Sequence, residues 1–222
     1  MKLSVLWEVV NLIPTKEEWN EVLSKRHTEQ IQKRFASATV AICGLGGLGS
    51  NIAVALARAG VGNLILIDYD VVDISNLHRQ QYKTAQIDMN KTDALRDNLS
   101  EIAPYITTVI HSVRITENNA EKLLEKADII CEAFDDSECK AMLVNLVLEK
   151  LPDKFLIAAS GMAGMGSANT IKTRRVSEKF YICGDETSDV KLQGSLVSSR
   201  VMVCAAHQAH TVLRILAEQY ET

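Results

Sequence analysis

Residues 39 to 91 hold glycines, acids, amides and cations in an order suited to gripping phosphate. Gly44-Leu45-Gly46-Gly47-Leu48-Gly49 fits G-x-G-x-x-G. It follows a β-branched, apolar run and opens an Ala- and Leu-rich one, the strand–turn–helix setting that gives such a pattern meaning. Glycine permits the sharp turn, lets a phosphate approach the backbone and lets helix and strand pack closely. The helix start adds unpaired N–H groups and partial positive charge. About 20 residues on, Asp68 ends the next apolar run, where an acid binds ribose. Asp70, taken alone, reads as a solvated loop acid. The loop after it gathers Asn76, Arg79 and Gln80, with His78 shaping it, and Lys91 follows. Either cation alone reads as ordinary surface charge. Beside a pyrophosphate, both would neutralise charge that builds on a leaving group. No later pair of residues suits hydride transfer, which a dinucleotide enzyme would need.

These residues need a scaffold, and the hydrophobic pattern supplies one. Residues 16 to 35 read as one or two helices, opened by a capping box of Thr15 and Glu18. Strands are predicted at 39–43, 64–67, 107–113, 128–134 and 155–160. Helices are predicted at 48–59, closed by Gly60 and Gly62, at 117–126 and at 138–150. Buried strands alternating with helices imply an α/β fold, a doubly wound and mostly parallel sheet. Past Gly161 the pattern changes to short strands at 168–173 and 179–182, an exposed connection at 184–194 and a long helix at 196–219. No repeat or interdomain linker is evident. The expected organisation is one domain over 1–222, with an N-terminal helical arm at 1–36 and substrate-side strands and a crossover loop at 161–195.

Composition excludes several classes. The 222 residues are 47% hydrophobic and 23% charged, ordinary for a globular chain. A net charge of −4 argues against nucleic acid as the main partner, since phosphate backbones need a basic footprint. No apolar run reaches the roughly 20 residues of a membrane helix, and the initial MKLSVLWEVV is too short. The five cysteines, Cys43, Cys131, Cys139, Cys183 and Cys204, form no CxxC pair. With no export signal read, a reducing cytoplasm is the expected location.

Taken together, GLGGLGSNIAVALARAGVG, then IDYDVVDISNLHRQ, then Lys91, then the acids at Glu132-Ala133-Phe134-Asp135-Asp136 resemble the ThiF/MoeB/HesA family, relatives of the ubiquitin-activating enzymes. The resemblance spans about 36 to 216, and the D-x-V-x-x-S-N-L-x-R-Q stretch is its most specific part. Compact length and a single Cys-Gly-Asp at 183–185 look most like the short ThiF branch of thiamine biosynthesis. The resemblance implies a Rossmann-like fold, ATP, Mg²⁺ and a small ubiquitin-like sulfur carrier ending in Gly-Gly. The carrier's carboxylate would attack the α-phosphorus, giving an acyl-adenylate and pyrophosphate. By motif position Gly44, Gly46, Gly47 and Gly49 would lie along the nucleotide with Asp68 and Asp70. Asn76, Arg79, Gln80 and Lys91 would contact phosphates, and Arg79, Lys91 and Asp135 would carry catalysis. Asp135, at a strand end, would bind Mg²⁺. Asp136 is the alternative for that role, or else the cap of the next helix. A homodimer is implied, through the apolar part of the helix at 48–59 or the segments after it.

The chain also departs from its relatives. Many carry two CxxC pairs holding zinc, and a closed zinc site needs four ligands, so no zinc is expected. Relatives place an arginine upstream of the turn; Arg26 and Arg34 are the candidates here. Cys183 is the candidate covalent nucleophile, although Asp185 and Glu186 beside it would raise its pKa. Cys43, Cys131 and Cys204 read as buried small hydrophobes. Met162 and Met165 suit a carrier-tail channel or loose core packing, and His207 and His210 read as ordinary helix residues. The alternatives are adenylation of a molybdopterin carrier or of a modified tRNA nucleoside, or a non-catalytic nucleotide-binding module.

Overall fold

The central strands are near-continuous apolar runs, so the sheet must be covered on both faces. The computed structural model describes residues 13–221, so the initial apolar segment lies outside the described residues. Two short helices come first, α1 (Lys16–His27) and α2 (Glu29–Ser37). Thr15 and Glu18 form the expected capping box. The break between the helices falls at Thr28, whose φ of 81 is left-handed, and its side chain caps α2. Then follow β1 (Thr39–Cys43), α3 (Gly47–Ala59), β2 (Asn63–Ile67), α4 (Lys91–Ile102), β3 (Thr107–His111), α5 (Ala120–Leu124), β4 (Ile129–Glu132), α6 (Ser137–Lys150) and β5 (Phe155–Ala159). The chain closes with β6 (Lys172–Arg175), β7 (Phe180–Gly184), α7 (Val190–Gln193) and the long α8 (Ser198–Leu216).

The seven strands run in the order β3-β2-β1-β4-β5-β7-β6, all parallel except the antiparallel β6–β7 pair. This is the expected Rossmann-like architecture with its antiparallel extension. One face buries Val40, Ile42, Leu64, Leu66, Cys131 and Ile157 under α3, α4 and α8. The other buries Ala41, Cys43, Ile65, Ile67, Ile130 and Leu156 under α5 and α6. The chain winds outward from β1 in one direction, then restarts at β4 on the other side. The carboxyl ends of β1 and β4 therefore flank a topological switch point, where open α/β sheets bind ligands.

Several boundaries differ from the sequence reading. Helix α4 was not expected: its stretch is mostly polar, but Ala94, Leu95 and Leu99 form a buried stripe at helical spacing. Residues 168–170 form a 3₁₀ turn capped by Ser167, so β6 begins later, at Lys172. The apolar side of α3 is consumed inside the chain. Ile52, Ala53 and Leu56 are fully buried in the core shared with α8, which corrects the expectation that this face forms a dimer contact. Among the described residues no helix is long and apolar enough to cross a membrane.

Candidate functional site

The turn after β1 is built for close approach. Gly44 has φ +91, and a Cβ there would sit 2.8 Å from the Ala133 carbonyl oxygen, at the end of β4. A Cβ on Gly49 would collide with the Gly44 carbonyl. These glycines thus bring β1, β4 and α3 together, as the third glycine of such turns is meant to do. Gly46 and Gly47 open α3 without a side-chain cap, so the first-turn N–H groups keep no side-chain partner. They can serve an anion.

Asp68 fastens this turn. Its carboxylate accepts from Leu45 N at 2.6 Å and Asp70 N at 2.8 Å. Burial pushes its pKa up, opposed by Lys91 and these two N–H groups. Two lone-pair positions on the carboxylate remain open to further donors. Tyr82 donates its phenol to Leu45 O at 2.7 Å, stapling the same turn from below. Lys91, 5% exposed, opens α4 and places Nζ 2.9 Å from Asp70 Oδ2. Asp70 is thus the partner of a buried ammonium, not the isolated loop acid that its position alone suggests.

The loop beyond lies across the turn. The Arg79 stem runs over Gly47, where a Cβ would meet its Cγ at 3.3 Å. Its guanidinium donates to Asn76 Oδ1 at 3.0 Å. Burial lowers the Arg79 pKa, and the charge of Asp135 acts in the opposite direction. Gln80 is 7% exposed and its Oε1 has no hydrogen-bond partner among the described residues. Gln80 Nε2 faces Gly46, 3.8 Å from where a Cβ would stand. Asp135 is exposed at the carboxyl end of β4, while Asp136 caps α6 by accepting from Cys139 N.

Sequence reasoning missed the residues that hold this loop down. Asn51, inside α3, donates to Gly47 O at 2.6 Å and Arg79 O at 3.2 Å, and accepts from Gln81 Nε2 at 2.7 Å. Ser50 Oγ donates to Gly46 O and accepts from Gln81 N. Both sit in the Ala-rich helix run, where only a polar pair at buried positions hinted at a role.

This arrangement matches known proteins. The ThiF family matches residues 20–222. The chain belongs to the ThiF family. The adenylyltransferase and sulfurtransferase MOCS3 of Caenorhabditis briggsae is 37% identical over 123 residues, 54% of this chain and 31% of that protein. The ubiquitin-like modifier-activating enzyme 5 of Caenorhabditis elegans is 34% identical over 125 residues, 51% of this chain and 30% of that one. The chain thus aligns with about a third of these relatives' length. The E. coli tRNA N6-threonylcarbamoyladenosine dehydratase TcdA in complex with AMP superposes with a TM-score of 0.82 at 18% identity, covering 94% of this chain and 98% of TcdA. At that identity the likeness speaks for the fold.

One site expectation in this ThiF-family chain needs correction. Cys183 lies on β7, 0% exposed, in the core beside Cys204. Burial, more than any neighbouring carboxylate, pushes its thiol up to about 11, while the Thr173 and Thr211 hydroxyls pull it down. A buried, protonated thiol is a poor nucleophile, so Cys183 packs as a small hydrophobe. Cys43, Cys131 and Cys204 are buried as expected. Arg34 pairs with Glu218 at 2.8 Å, and Arg26 is exposed on α1; neither contacts the turn within this chain. Met162 packs partly against the core, Met165 is 83% exposed, and His207 shares a 2.9 Å hydrogen bond with Thr173. Among the described residues no cluster of three or more His, Cys, Asp or Glu is placed to hold a metal.

Proposed function

We propose that this protein adenylates the C-terminal carboxylate of a ubiquitin-like sulfur carrier. The observation that carries the reading is the convergence on one glycine turn of Arg79, Gln80, Asp68 and Lys91, facing Asp135 across the switch point. ATP fits these groups. Uncapped N–H groups of α3 suit phosphate oxygens, and Asp68 keeps acceptor capacity for ribose. The names of the relatives, an adenylyltransferase and a ubiquitin-like modifier-activating enzyme, support the same chemistry.

The carrier's carboxylate is ionised at neutral pH and needs no general base. What the site must supply is alignment with the α-phosphorus and compensation of charge on departing pyrophosphate. Arg79, whose stem lies over Gly47 and whose guanidinium donates to Asn76, would compensate that charge. Lys91 adds a second cation once a phosphate competes with Asp70 for its ammonium. Asp135 is the carboxylate that would hold Mg²⁺ with the phosphates, where the ion screens their charge.

Among carriers, that of thiamine thiazole synthesis is the proposed substrate, on the motif resemblance. The test is carrier-dependent exchange of labelled pyrophosphate into ATP, run with thiamine-type and molybdopterin-type carriers and with a modified tRNA. Exchange with the thiamine-type carrier is expected. Exchange with another carrier would reassign the pathway, and dependence on tRNA instead of any carrier would overturn the reading.

A further inference from the structure

Among the described residues the Asp135 carboxylate has no hydrogen bond or ion pair, so the residues around it must hold it in place. Three anchors do so. Ala133 N donates to Cys43 O at 2.9 Å, tying the end of β4 to the end of β1. Phe134 N donates to Glu132 Oε1 at 2.7 Å, and the Phe134 ring lies beside Gly44, where a Cβ would meet its Cδ1 at 3.1 Å. Asp136, on the far side, caps α6. The chain is thus fixed on both sides of Asp135, and the second anchor is a fully buried carboxylate.

Glu132 is the last residue of β4 and is 0% exposed. Backbone pairing of β4 with β5 ends one residue earlier, at Cys131 with Ile157. Beyond it, side chains join the strands. Glu132 Oε2 accepts from Ala159 N at 3.4 Å, and Gln208 Nε2, from α8, donates to Glu132 O at 2.9 Å and Ile157 O at 3.2 Å. Lys140, one turn into α6, pairs its ammonium with the same Oε2. Burial raises the Glu132 carboxyl, and Lys140 opposes this more than the Phe134 and Ala159 N–H groups do. A buried ion pair is a costly way to join a helix to a sheet, since apolar residues of similar size are often as stable or more so. What an apolar residue cannot do is accept from Phe134 N. The pair therefore serves the segment that presents Asp135.

We propose that Glu132, held by Lys140, is a positioning residue for Asp135, fixing that carboxylate where a divalent cation bound to the nucleotide's phosphates would meet it. The proposal rests on the ATP and Mg²⁺ part of the adenylation reading and is independent of which carrier is used.

The test needs the full chain, ATP and Mg²⁺, and no carrier. ATP affinity is measured by calorimetry with Mg²⁺ and with EDTA, and the readout is the ratio of the two. In the parent Mg²⁺ should tighten ATP binding, and Asp135→Asn should remove most of that gain. Glu132→Leu combined with Lys140→Met removes both charges, leaves no unpaired buried ion and takes the acceptor from Phe134 N. Its Mg²⁺-dependent gain should shrink by about tenfold, the usual worth of a hydrogen bond to a charged group, with affinity in EDTA unchanged. Added to Asp135→Asn, the same two substitutions should cost nothing further, because their effect passes through that carboxylate. Lys140→Arg, which keeps the charge pair, should keep the gain. If Mg²⁺ does not tighten ATP binding in the parent, the metal part of the adenylation reading falls and takes this role with it. If it does, but the Glu132→Leu, Lys140→Met protein keeps the full gain, loses affinity equally in EDTA, or loses as much again in the Asp135→Asn background, the pair is a structural strut and the positioning role alone is wrong.

Discussion

At the residue scale, Arg79 is where folding and chemistry separate. Its backbone is held by Asn51 and its stem by contact with Gly47, while among the described residues its guanidinium meets Asn76 Oδ1 at 3.0 Å and approaches His78 at 3.5 Å. Removing the guanidinium leaves the loop anchors in place, so Arg79→Ala should melt within a few degrees of the parent. Its loss of transition-state compensation should nonetheless cut pyrophosphate exchange by about 10²–10³-fold, the usual cost of deleting one preorganised donor. Lys91 is a different case. It is buried, paired and at the start of α4, so Lys91→Ala would confound stability with catalysis. Exchange that survives Arg79→Ala intact, measured beside calorimetry of the same sample, would remove Arg79 from the mechanism.

At the scale of elements, the strands and α3 were legible because their periods are short and strong, and Gly60 closes α3 in the left-handed conformation that its sequence position calls for. The glycine turn and Asp68 were legible for the same reason: local spacing encodes them. Helix α4 was not, since only three apolar positions mark its buried side. Cys183 misled because the acids Asp185 and Glu186 follow it closely, while the strand pairing that buries it, Ala159 with Cys183, joins segments far apart in sequence. Arg200, buried and paired with the Asp185 carboxylate, was invisible for a similar reason, since its acceptors lie 15 to 34 residues away. The Asp185 carboxylate in this cluster shows itself through pH. Burial alone would raise the Asp185 carboxyl, but the Ser188 and Thr187 donors and Arg200 outweigh it and bring it to about 2, below an ordinary 3.8. A depressed folded-state pKa stabilises above the unfolded value and loses that stability as pH falls through the folded one. Asp185→Asn should therefore be less stable than the parent by about 2 kcal/mol at pH 7. The gap should narrow between about pH 4 and pH 2 as the parent's own carboxylate protonates. Urea unfolding across that range checks it; a gap independent of pH would mean that the Asp185 charge contributes nothing.

At the scale of the whole molecule, the sheet alone does not distinguish a dinucleotide from ATP. The switch point between β1 and β4 and the glycine turn serve both. What tilts the choice is the material laid over it: a cation-bearing loop pinned to α3 by Asn51 and Ser50, Lys91 brought in by α4, and Asp135 from β4. Those groups suit a terminal triphosphate, whose extra charge a dinucleotide lacks. Any ligand that binds only the folded chain stabilises it by mass action, by about 2.7 kcal/mol at a hundredfold excess over Kd. For a chain of this size that corresponds to a rise in Tm of roughly 5–10 °C. ATP with magnesium should produce such a rise, and Arg79→Ala should blunt it, since part of the binding passes through that guanidinium. NAD⁺ at the same concentration should leave Tm where it was. A thermal scan in which NAD⁺ shifts the transition and ATP does not would mean that the loop from Asn76 to Gln80 closes over a different ligand, and the functional assignment would have to be rebuilt from the glycine turn outward.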